Sequence, residues 1–355
     1  MNPLDTRARL EGSATVSGPA GGEEAGLTPP AGLLDFIRDG ANRRFLVASH
    51  INPEGDALGS TLALAGALRA LGKEALSYNR DGTPEPFRFL PGWEDIRNVL
   101  PGRPMDFTLV LVDCSTPSRA ALEGVSFART VVIDHHELDV LKPGGSAPAD
   151  IMWVAPSSPA AGMMVYGLIK ALGVEIDPAM ATSLYTAVST DTGSFRYSNA
   201  TAEAFETAAA LVRAGAEPDR ISQDVYETWT EKKMRLLCLS LQNLELRDGA
   251  AIMSVESGMF RATGTDAGDT DNFTSFPRLL RDAQVAVVLS EVEGGLIRGS
   301  LRSKGRVDVR LVARKFGGGG HIKAAGFRIS AGENGLPKLR EDLFKAIAEA
   351  SRKKE

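Results

Sequence analysis

Four histidines occur in 355 residues, His50, His135, His136 and His321. Three of them stand beside carboxylates at the ends of short apolar runs. Phe45-Leu46-Val47-Ala48 leads into Ser49-His50-Ile51-Asn52-Pro53-Glu54-Gly55-Asp56, Thr108-Leu109-Val110-Leu111-Val112 leads into Asp113, and Thr130-Val131-Val132-Ile133 leads into Asp134-His135-His136. A helical stretch further on ends in Ser189-Thr190-Asp191-Thr192-Gly193. Ligands of open α/β sheets sit beyond the carboxyl ends of the parallel strands. If these runs are neighbouring strands, five carboxylates and three imidazoles therefore converge on one crevice. Such a cluster repels itself when empty, and a pair of divalent cations neutralises it. Carboxylate with imidazole suits Mn²⁺ better than a thiolate-preferring metal, with Mg²⁺ and Co²⁺ the other candidates. Two cations about 3.5–4 Å apart can activate water and clamp an in-line displacement at phosphorus. Pro53 and Gly55 supply the turn that lets His50, Glu54 and Asp56 face inward together. Each residue alone has a bland reading, since an Asp after a strand often caps a helix. The same ligand chemistry at three strand ends favours a metal site.

The elements that must position these residues follow from the apolar pattern. Continuous apolar strands alternating with helices indicate an α/β fold, a mostly parallel sheet with helices on both faces. Residues 57–71 read as a helix rich in Ala and Leu. Ser157-Ser158 could cap a helix through 162–172, and Asp177-Pro178 could open another towards Asp191. Residues 1–30 are rich in Gly, Ala, Pro and Glu without an apolar period and read as a disordered tail. The metal-binding domain would then span 31–216 and a polar helical linker 217–246. A smaller mixed α/β domain would occupy 247–355, with strands at 250–257, 284–293 and 295–303, the last two joined by a Gly-Gly turn at 294–295.

The second domain carries its own signal. Segment 298–328 holds nine basic residues (Arg298, Arg302, Lys304, Arg306, Arg310, Arg314, Lys315, Lys323 and Arg328) against one acid, Asp308. On an acidic chain that is where a polyanion would land. Arg302-Ser303-Lys304 at a strand end is the better candidate for phosphate contact, because a guanidinium grips phosphate oxygens through two parallel bonds. Arg310, Arg314 and Lys315 read as a solvated helix face. Gly317-Gly318-Gly319-Gly320-His321 reads as a non-repetitive loop whose exposed N–H groups suit an anion nest.

Composition narrows the class. A net charge of −5 excludes a generally basic nucleic-acid binder, and 43% hydrophobic with 24% charged residues is ordinary for a globular chain. Two cysteines, Cys114 and Cys238, cannot build a disulfide framework. With no signal-peptide or membrane-span pattern, the expected location is the cytoplasm. Gly66 to Lys73 has one residue too many for a phosphate-binding P-loop, and Glu74 stands where Ser or Thr is needed. No His/Asp relay marks Ser115 or Cys114 as a nucleophile.

The segments SHINPEGDALGS (49–60), VDCS (112–115), VIDHH (132–136) and STDTGSFRYSN (189–199) resemble the four motifs of the DHH phosphoesterases, and GGGGHIKAAGF (317–327) resembles the signature of the DHHA1 domain. The short two-domain form is similar to the NrnA-type nanoRNase (oligoribonuclease)/pAp-phosphatase branch. The resemblance implies that His50, Glu54 and Asp113 hold one metal. Asp56, Asp113, His135 and Asp191 would hold the other, with Asp113 bridging. His136 would contact the phosphate or assist the leaving group, and Asp134 would orient the histidines. Arg302, Ser303, Lys304, Gly318, Gly319, Gly320 and His321 would bind substrate phosphates, placing the active site in a cleft between the domains. One departure stands out: the family usually has Asp where this chain has Glu54. The implied substrates are very short RNA oligonucleotides cut to mononucleotides, with 3′-phosphoadenosine 5′-phosphate a second substrate and a homodimer the expected assembly. The competing readings are a cyclic or linear dinucleotide phosphodiesterase and a catalytically silent nucleotide-binding regulator.

Overall fold

A computed structural model describes residues 28–137, 149–292, 294–320, 322–330 and 335–352. The expected tail at 1–30 lies almost wholly outside the described residues, as does His321. The chain divides into two compact units, Met1–Thr228 and Trp229–Glu355.

The first unit is built on six strands, β1 (Arg44–Ala48), β2 (Glu74–Tyr78), β3 (Ile96–Arg97), β4 (Thr108–Val112), β5 (Arg129–Asp134) and β6 (Ile151–Val154). They lie in the order β3-β2-β1-β4-β5-β6, and every pairing is parallel. The three strands read from the sequence, β1, β4 and β5, are neighbours at the middle of this sheet. Their side chains alternate between two cores, as a strand's two-residue period requires. Phe45, Val47, Val110, Val112, Val131 and Ile133 point to one face, Leu46, Ala48, Leu109, Leu111 and Val132 to the other. The first face is covered by α1 (Ala31–Arg38), α2 (Gly55–Ala70), α3 (Ala161–Leu172) and α4 (Pro178–Asp191). The second is closed by Phe107, Leu122 and the 3₁₀ turn Pro117–Ala120. The strand order reverses direction between β1 and β4, and that switch point is where such sheets bind ligands. Two further helices, α5 (Ala202–Arg213) and α6 (Pro218–Tyr226), complete the unit.

The helical stretch expected to link the domains does not stand apart. Helix α6 packs Ile221 into the first unit's core. The next helix, α7 (Glu231–Leu241), buries Leu236 and Leu237 against Met253, Val255 and Phe273 of the second unit. Apolar faces on both helices draw each into the nearer core. The second unit continues with β7 (Glu245–Arg247), β8 (Ala250–Val255), α8 (Ser257–Thr263), α9 (Ser275–Leu279), β9 (Val285–Val292), β10 (Leu296–Ser303), α10 (Val309–Lys315), β11 (Gly319–Gly320), β12 (Ala324–Ser330) and α11 (Gly335–Arg352). Its sheet runs β11-β12-β10-β9-β8-β7 and is mixed: β8 and β9 are parallel and the remaining pairs antiparallel, with β9 and β10 forming the expected hairpin.

The glycine run corrects the sequence reading. Gly319 and Gly320 form a strand paired with Gly326 and Ala325, and are not a free nest. The reason is steric. A Cβ on Gly318 would stand 2.1 Å from the Gly326 carbonyl oxygen and 2.5 Å from the Phe327 Cβ, so only glycine lets this backbone lie on β12. Among the described residues no helix is long and apolar enough to cross a membrane.

Candidate metal centre

Each side chain of the first unit's polar cluster is placed by the end of a regular element. His50 follows β1, and Asp113 follows β4 with φ 60°, a left-handed conformation that costs a non-glycine residue about 1–3 kcal/mol. The Asp113 N–H, bonded to the Ile133 carbonyl at 3.0 Å, helps hold it there. Asp134 ends β5, with His135 and His136 next in the chain; Glu54 caps α2, Asp56 lies in its first turn, and Asp191 is the last residue of α4.

The ligand atoms of His50, Glu54 and Asp113 all lie within 4.8 Å of one another, as do those of Asp56, His135 and Asp191 and those of Asp113, His135 and His136. The structure thus brings together every metal-ligand residue named from the sequence, with Asp113 common to two groups. The Asp113 oxygens lie 3.2 Å from His50 Nε2, 3.3 Å from His135 Nε2 and 3.5 Å from His136 Nδ1. His135 Nε2 also stands 3.6 Å from Asp56 and 3.9 Å from Asp191.

The rings are held by their other nitrogens. His50 Nδ1 pairs with the Ile51 carbonyl at 2.8 Å, and His135 Nδ1 with the Ser158 carbonyl at 3.1 Å. A carbonyl only accepts, so each Nδ1 carries a proton and each Nε2 turns its lone pair, or a second proton, towards the carboxylates. Asp134 Oδ1 accepts from both the backbone N–H of His136 (3.1 Å) and its Nδ1 (2.7 Å). Asp134 therefore orients one histidine, not both as expected, because the Ser158 carbonyl already holds His135. Ser158 has a different task from the helix cap read from the sequence. The N-cap of α3 is Ala160, without a side-chain cap.

The cap comes from Asp56. Its two oxygens accept from the backbone N–H groups of Ala161 (2.7 Å) and Gly162 (2.8 Å), with the Ser60 hydroxyl at 2.9 Å. Close helix approach makes this reach possible. A Cβ on Gly55 would fall 2.5 Å from Thr190 Oγ1, one on Gly59 2.2 Å from the Ser183 carbonyl oxygen, and one on Gly162 2.5 Å from the Ala187 Cβ. Gly59, Gly162 and the carbonyl clamps at Ile51 and Ser158 were missed in the sequence, which read Gly55 only as part of a turn. Glycines spaced through an otherwise helical run were the one available signal.

The cluster is electrostatically frustrated. Burial works against charge on His50 and His135, but hydrogen bonds and attraction to Asp113 outweigh it and raise both. Burial would raise the Asp113 carboxyl, yet the His135 and His50 imidazoles beside it hold it far below the usual carboxylate range. Glu54 is pushed up to about 7 by burial and by the charges of Asp113 and Asp191, and Asp191 is raised mainly by burial. Asp113 is 2% exposed and its Oδ1 has no hydrogen-bond partner; Asp134 is fully buried and its Oδ2 has none either. An orphaned buried carboxylate oxygen facing imidazole nitrogens is what a divalent cation satisfies, so the donor set fits such an ion.

These shifts have a testable sign. Between its ordinary 4.5 and about 7, Glu54 keeps its proton more firmly in the folded chain than in the unfolded one, so folding stability falls as pH rises through that window. Raised His50 and His135 act in the same direction above 6.5, while Asp113 changes only below the ordinary carboxylate range. Since 44% of the Glu54 side chain reaches solvent, screening trims the effect. The metal-free protein should lose about 1 kcal/mol, roughly 2–4 °C in midpoint, between pH 5 and 8. Thermal unfolding in EDTA measures this, and added Mn²⁺ should reverse the trend; a midpoint rising with pH in EDTA would contradict it.

Comparison with known proteins agrees with this geometry. The DHH family N-terminal domain matches residues 44–188 and the DHHA1 domain residues 251–349. A relative from Thermus thermophilus, the bifunctional oligoribonuclease and PAP phosphatase NrnA, is 35% identical over 84% of this chain and 90% of its own length. The chain belongs to the DHH family of phosphoesterases. The DHH chain is also 28% identical to the Bacillus subtilis protein of the same description, over 79% of this chain and 87% of that one. An exopolyphosphatase-related protein from Bacteroides fragilis shares the fold, with a TM-score of 0.81 at 24% identity, over 90% of this chain and 96% of that one. As a DHH protein with its acidic and histidine cluster assembled, the chain is a metal-dependent phosphoesterase.

In the DHHA1 unit the residues expected to bind substrate are less uniform. Arg302 is exposed on β10. Ser303 is buried and its hydroxyl accepts from the Gly305 N–H, while the Lys304 ammonium is committed to the Leu280 carbonyl at 2.6 Å. Lys304 thus ties β10 to the segment before β9.

Proposed function

We propose that this chain cuts very short RNA oligonucleotides to mononucleotides and also removes a phosphate from 3′-phosphoadenosine 5′-phosphate. The observation that carries the reading is the orphaned Asp113 oxygen among imidazole nitrogens, in a chain that keeps most of the length of relatives described as oligoribonucleases and PAP phosphatases. His50, Glu54 and Asp113 would hold one divalent cation, and Asp56, His135 and Asp191, with Asp113 shared, would hold a second, Mn²⁺ by ligand type. When bound, such cations supply Lewis-acid activation of water and neutralise charge at phosphorus. The protein's own part is positional. Carbonyl bonds to the Nδ1 atoms aim His50 and His135, and Asp134 fixes His136, which contacts the reacting phosphate or assists the leaving group. Arg302 contributes a bidentate grip on substrate phosphate, beside the Gly318–Gly320 backbone. Both cysteines are unpaired, which agrees with work in a reducing cytoplasm.

The test is Mn²⁺-dependent hydrolysis of a 5′-phosphorylated dinucleotide, run beside 3′-phosphoadenosine 5′-phosphate and a cyclic dinucleotide. Rapid cleavage of the linear dinucleotide supports the proposal. Cleavage of the cyclic compound alone would replace it with second-messenger turnover, and metal binding without any cleavage would leave a silent regulator. In the same assay Arg302→Ala should raise KM about tenfold with kcat within about threefold, since it removes binding made equally in ground and transition state.

A further inference from the structure

Strand β2 gives the metal centre no ligand, yet its end grips the loop that does. β1 and β2 finish side by side, with Ala48 paired to Tyr78. Asn79, next in the chain, is fully buried. Its Nδ2 donates to the Ser49 hydroxyl at 3.0 Å and to the His50 carbonyl at 2.8 Å, and its Oδ1 accepts from the Asp81 N–H at 3.0 Å. Asp81, placed by that bond, accepts the Asn52 N–H on Oδ2 at 2.7 Å. From the turn that follows β4, the Arg119 carbonyl accepts the Ile51 N–H at 2.9 Å.

These bonds fall on two consecutive peptide groups, and each group is held at both ends. The His50–Ile51 peptide is gripped at its carbonyl by Asn79 and at its N–H by Arg119. The Ile51–Asn52 peptide is gripped at its N–H by Asp81, and its carbonyl is the one that pairs with His50 Nδ1. A trans peptide points its carbonyl and its N–H in opposite directions, so fixing the N–H aims the carbonyl. Local preference does not supply this turn. Asn52 has φ 52° but precedes Pro53, where a residue ordinarily takes extended backbone. A carboxylate at the N–H also polarises the peptide and strengthens its carbonyl as an acceptor.

We infer that Asp81 and Asn79 are positioning residues for the metal centre, Asp81 acting on His50 through the Ile51–Asn52 peptide. The path runs from carboxylate to amide N–H and from carbonyl to Nδ1–H. It leaves Nε2 turned to Asp113, 3.2 Å away, and to the cation that His50 would share with Glu54 and Asp113. Carboxylates commonly hold a ligand histidine directly; here a backbone group is interposed. His135 is aimed separately, by the Ser158 carbonyl. Resting on the two-cation reading above, this role sets the affinity of one cation and not of the other.

The experiment is calorimetric titration of the full, EDTA-stripped chain with Mn²⁺, beside hydrolysis of a 5′-phosphorylated dinucleotide at limiting and at saturating Mn²⁺. Asp81 is exposed, so Asp81→Ala should unfold within about 2 °C of the wild type in EDTA. It should weaken one Mn²⁺ site at least about tenfold and leave the other unchanged. Activity should fall at limiting Mn²⁺ and return at saturating Mn²⁺, with KM for the dinucleotide unaltered. Asp81→Asn keeps an acceptor oxygen for the Asn52 N–H and should recover most of the affinity. Asn79→Ala should weaken the same site, and adding Asp81→Ala should then cost less than the two single effects combined, because Asn79 places Asp81. Two sites weakened alike, or none weakened, in Asp81→Ala would overturn the role. A wild type that binds a single cation, weakened by Asp81→Ala, would sink the two-cation reading and leave the path to His50 standing.

Discussion

Asp113→Ala should reduce phosphoester hydrolysis by at least about a thousandfold and remove most of the tightly bound divalent metal. Replacing a partner behind a metal ligand typically costs 10–100-fold. Asp113 is no outer partner, since its carboxylate lies within 3.5 Å of His50, His135 and His136 nitrogens and belongs to two of the three candidate ligand groups. Its removal also takes from His50 and His135 the partner that raises them. Asp113→Asn, of nearly the same shape, separates chemistry from folding: it should unfold within a few degrees of the wild type while losing activity to a similar extent. Metal content per chain and single-turnover hydrolysis give the two readouts. Wild-type turnover in either variant would refute the two-cation reading.

The second large effect comes from a residue without a side chain. Alanine at Gly59 would gain about 1 kcal/mol of helix propensity, but its Cβ would sit 2.2 Å from the Ser183 carbonyl oxygen. A backbone oxygen inside a helix cannot swing aside, so α2 and α4 must part, and such overpacking costs typically 1–3 kcal/mol and occasionally more. The net expectation is a loss of about 2 kcal/mol, a midpoint lower by roughly 5 °C. Since α2 carries Asp56 and α4 ends in Asp191, the same separation should weaken metal binding about tenfold. Gly66→Ala on the same helix is the control. There the Cβ meets only the flexible Met180 side chain, its Cε at 3.3 Å, so the propensity gain meets little opposition and stability should rise by up to about 1 kcal/mol. Equal behaviour of the two variants would show that close helix packing does not shape the site.

The legible part of the fold is the part buried on both faces. β1, β4 and β5 are near-continuous apolar runs because each feeds two cores, and that pattern placed His50, Asp113 and His135 at neighbouring strand ends. β2, β3 and β6 escaped notice. β2 reads Glu-Ala-Leu-Ser-Tyr with an exposed first residue, β3 has two residues, and β6 is a short edge strand. The glycine run was misread because conformational freedom suggests a loop, whereas here the missing Cβ lets a strand lie on Phe327. The helix cap was misassigned for a different reason. Local chemistry offers Ser157 and Ser158, and nothing near Ala161 in the chain announces that Asp56 will arrive from 105 residues away. Pairwise spacing in sequence does not encode such reach, and neither do the carbonyls that aim the histidine rings.

That long reach also imposes a timetable on the growing polypeptide. A nascent chain that has emerged as far as His136 already carries His50, Glu54, Asp113 and His135. It cannot yet settle Asp56, because the amides that grip this carboxylate belong to Ala161 and Gly162, which have yet to emerge, and Asp191 follows later still. Docking of α3 and completion of the Asp56, His135 and Asp191 group are therefore late events. Synthesis delivers the His50, Glu54 and Asp113 group first, and the other only once the first unit has been made through to Asp191.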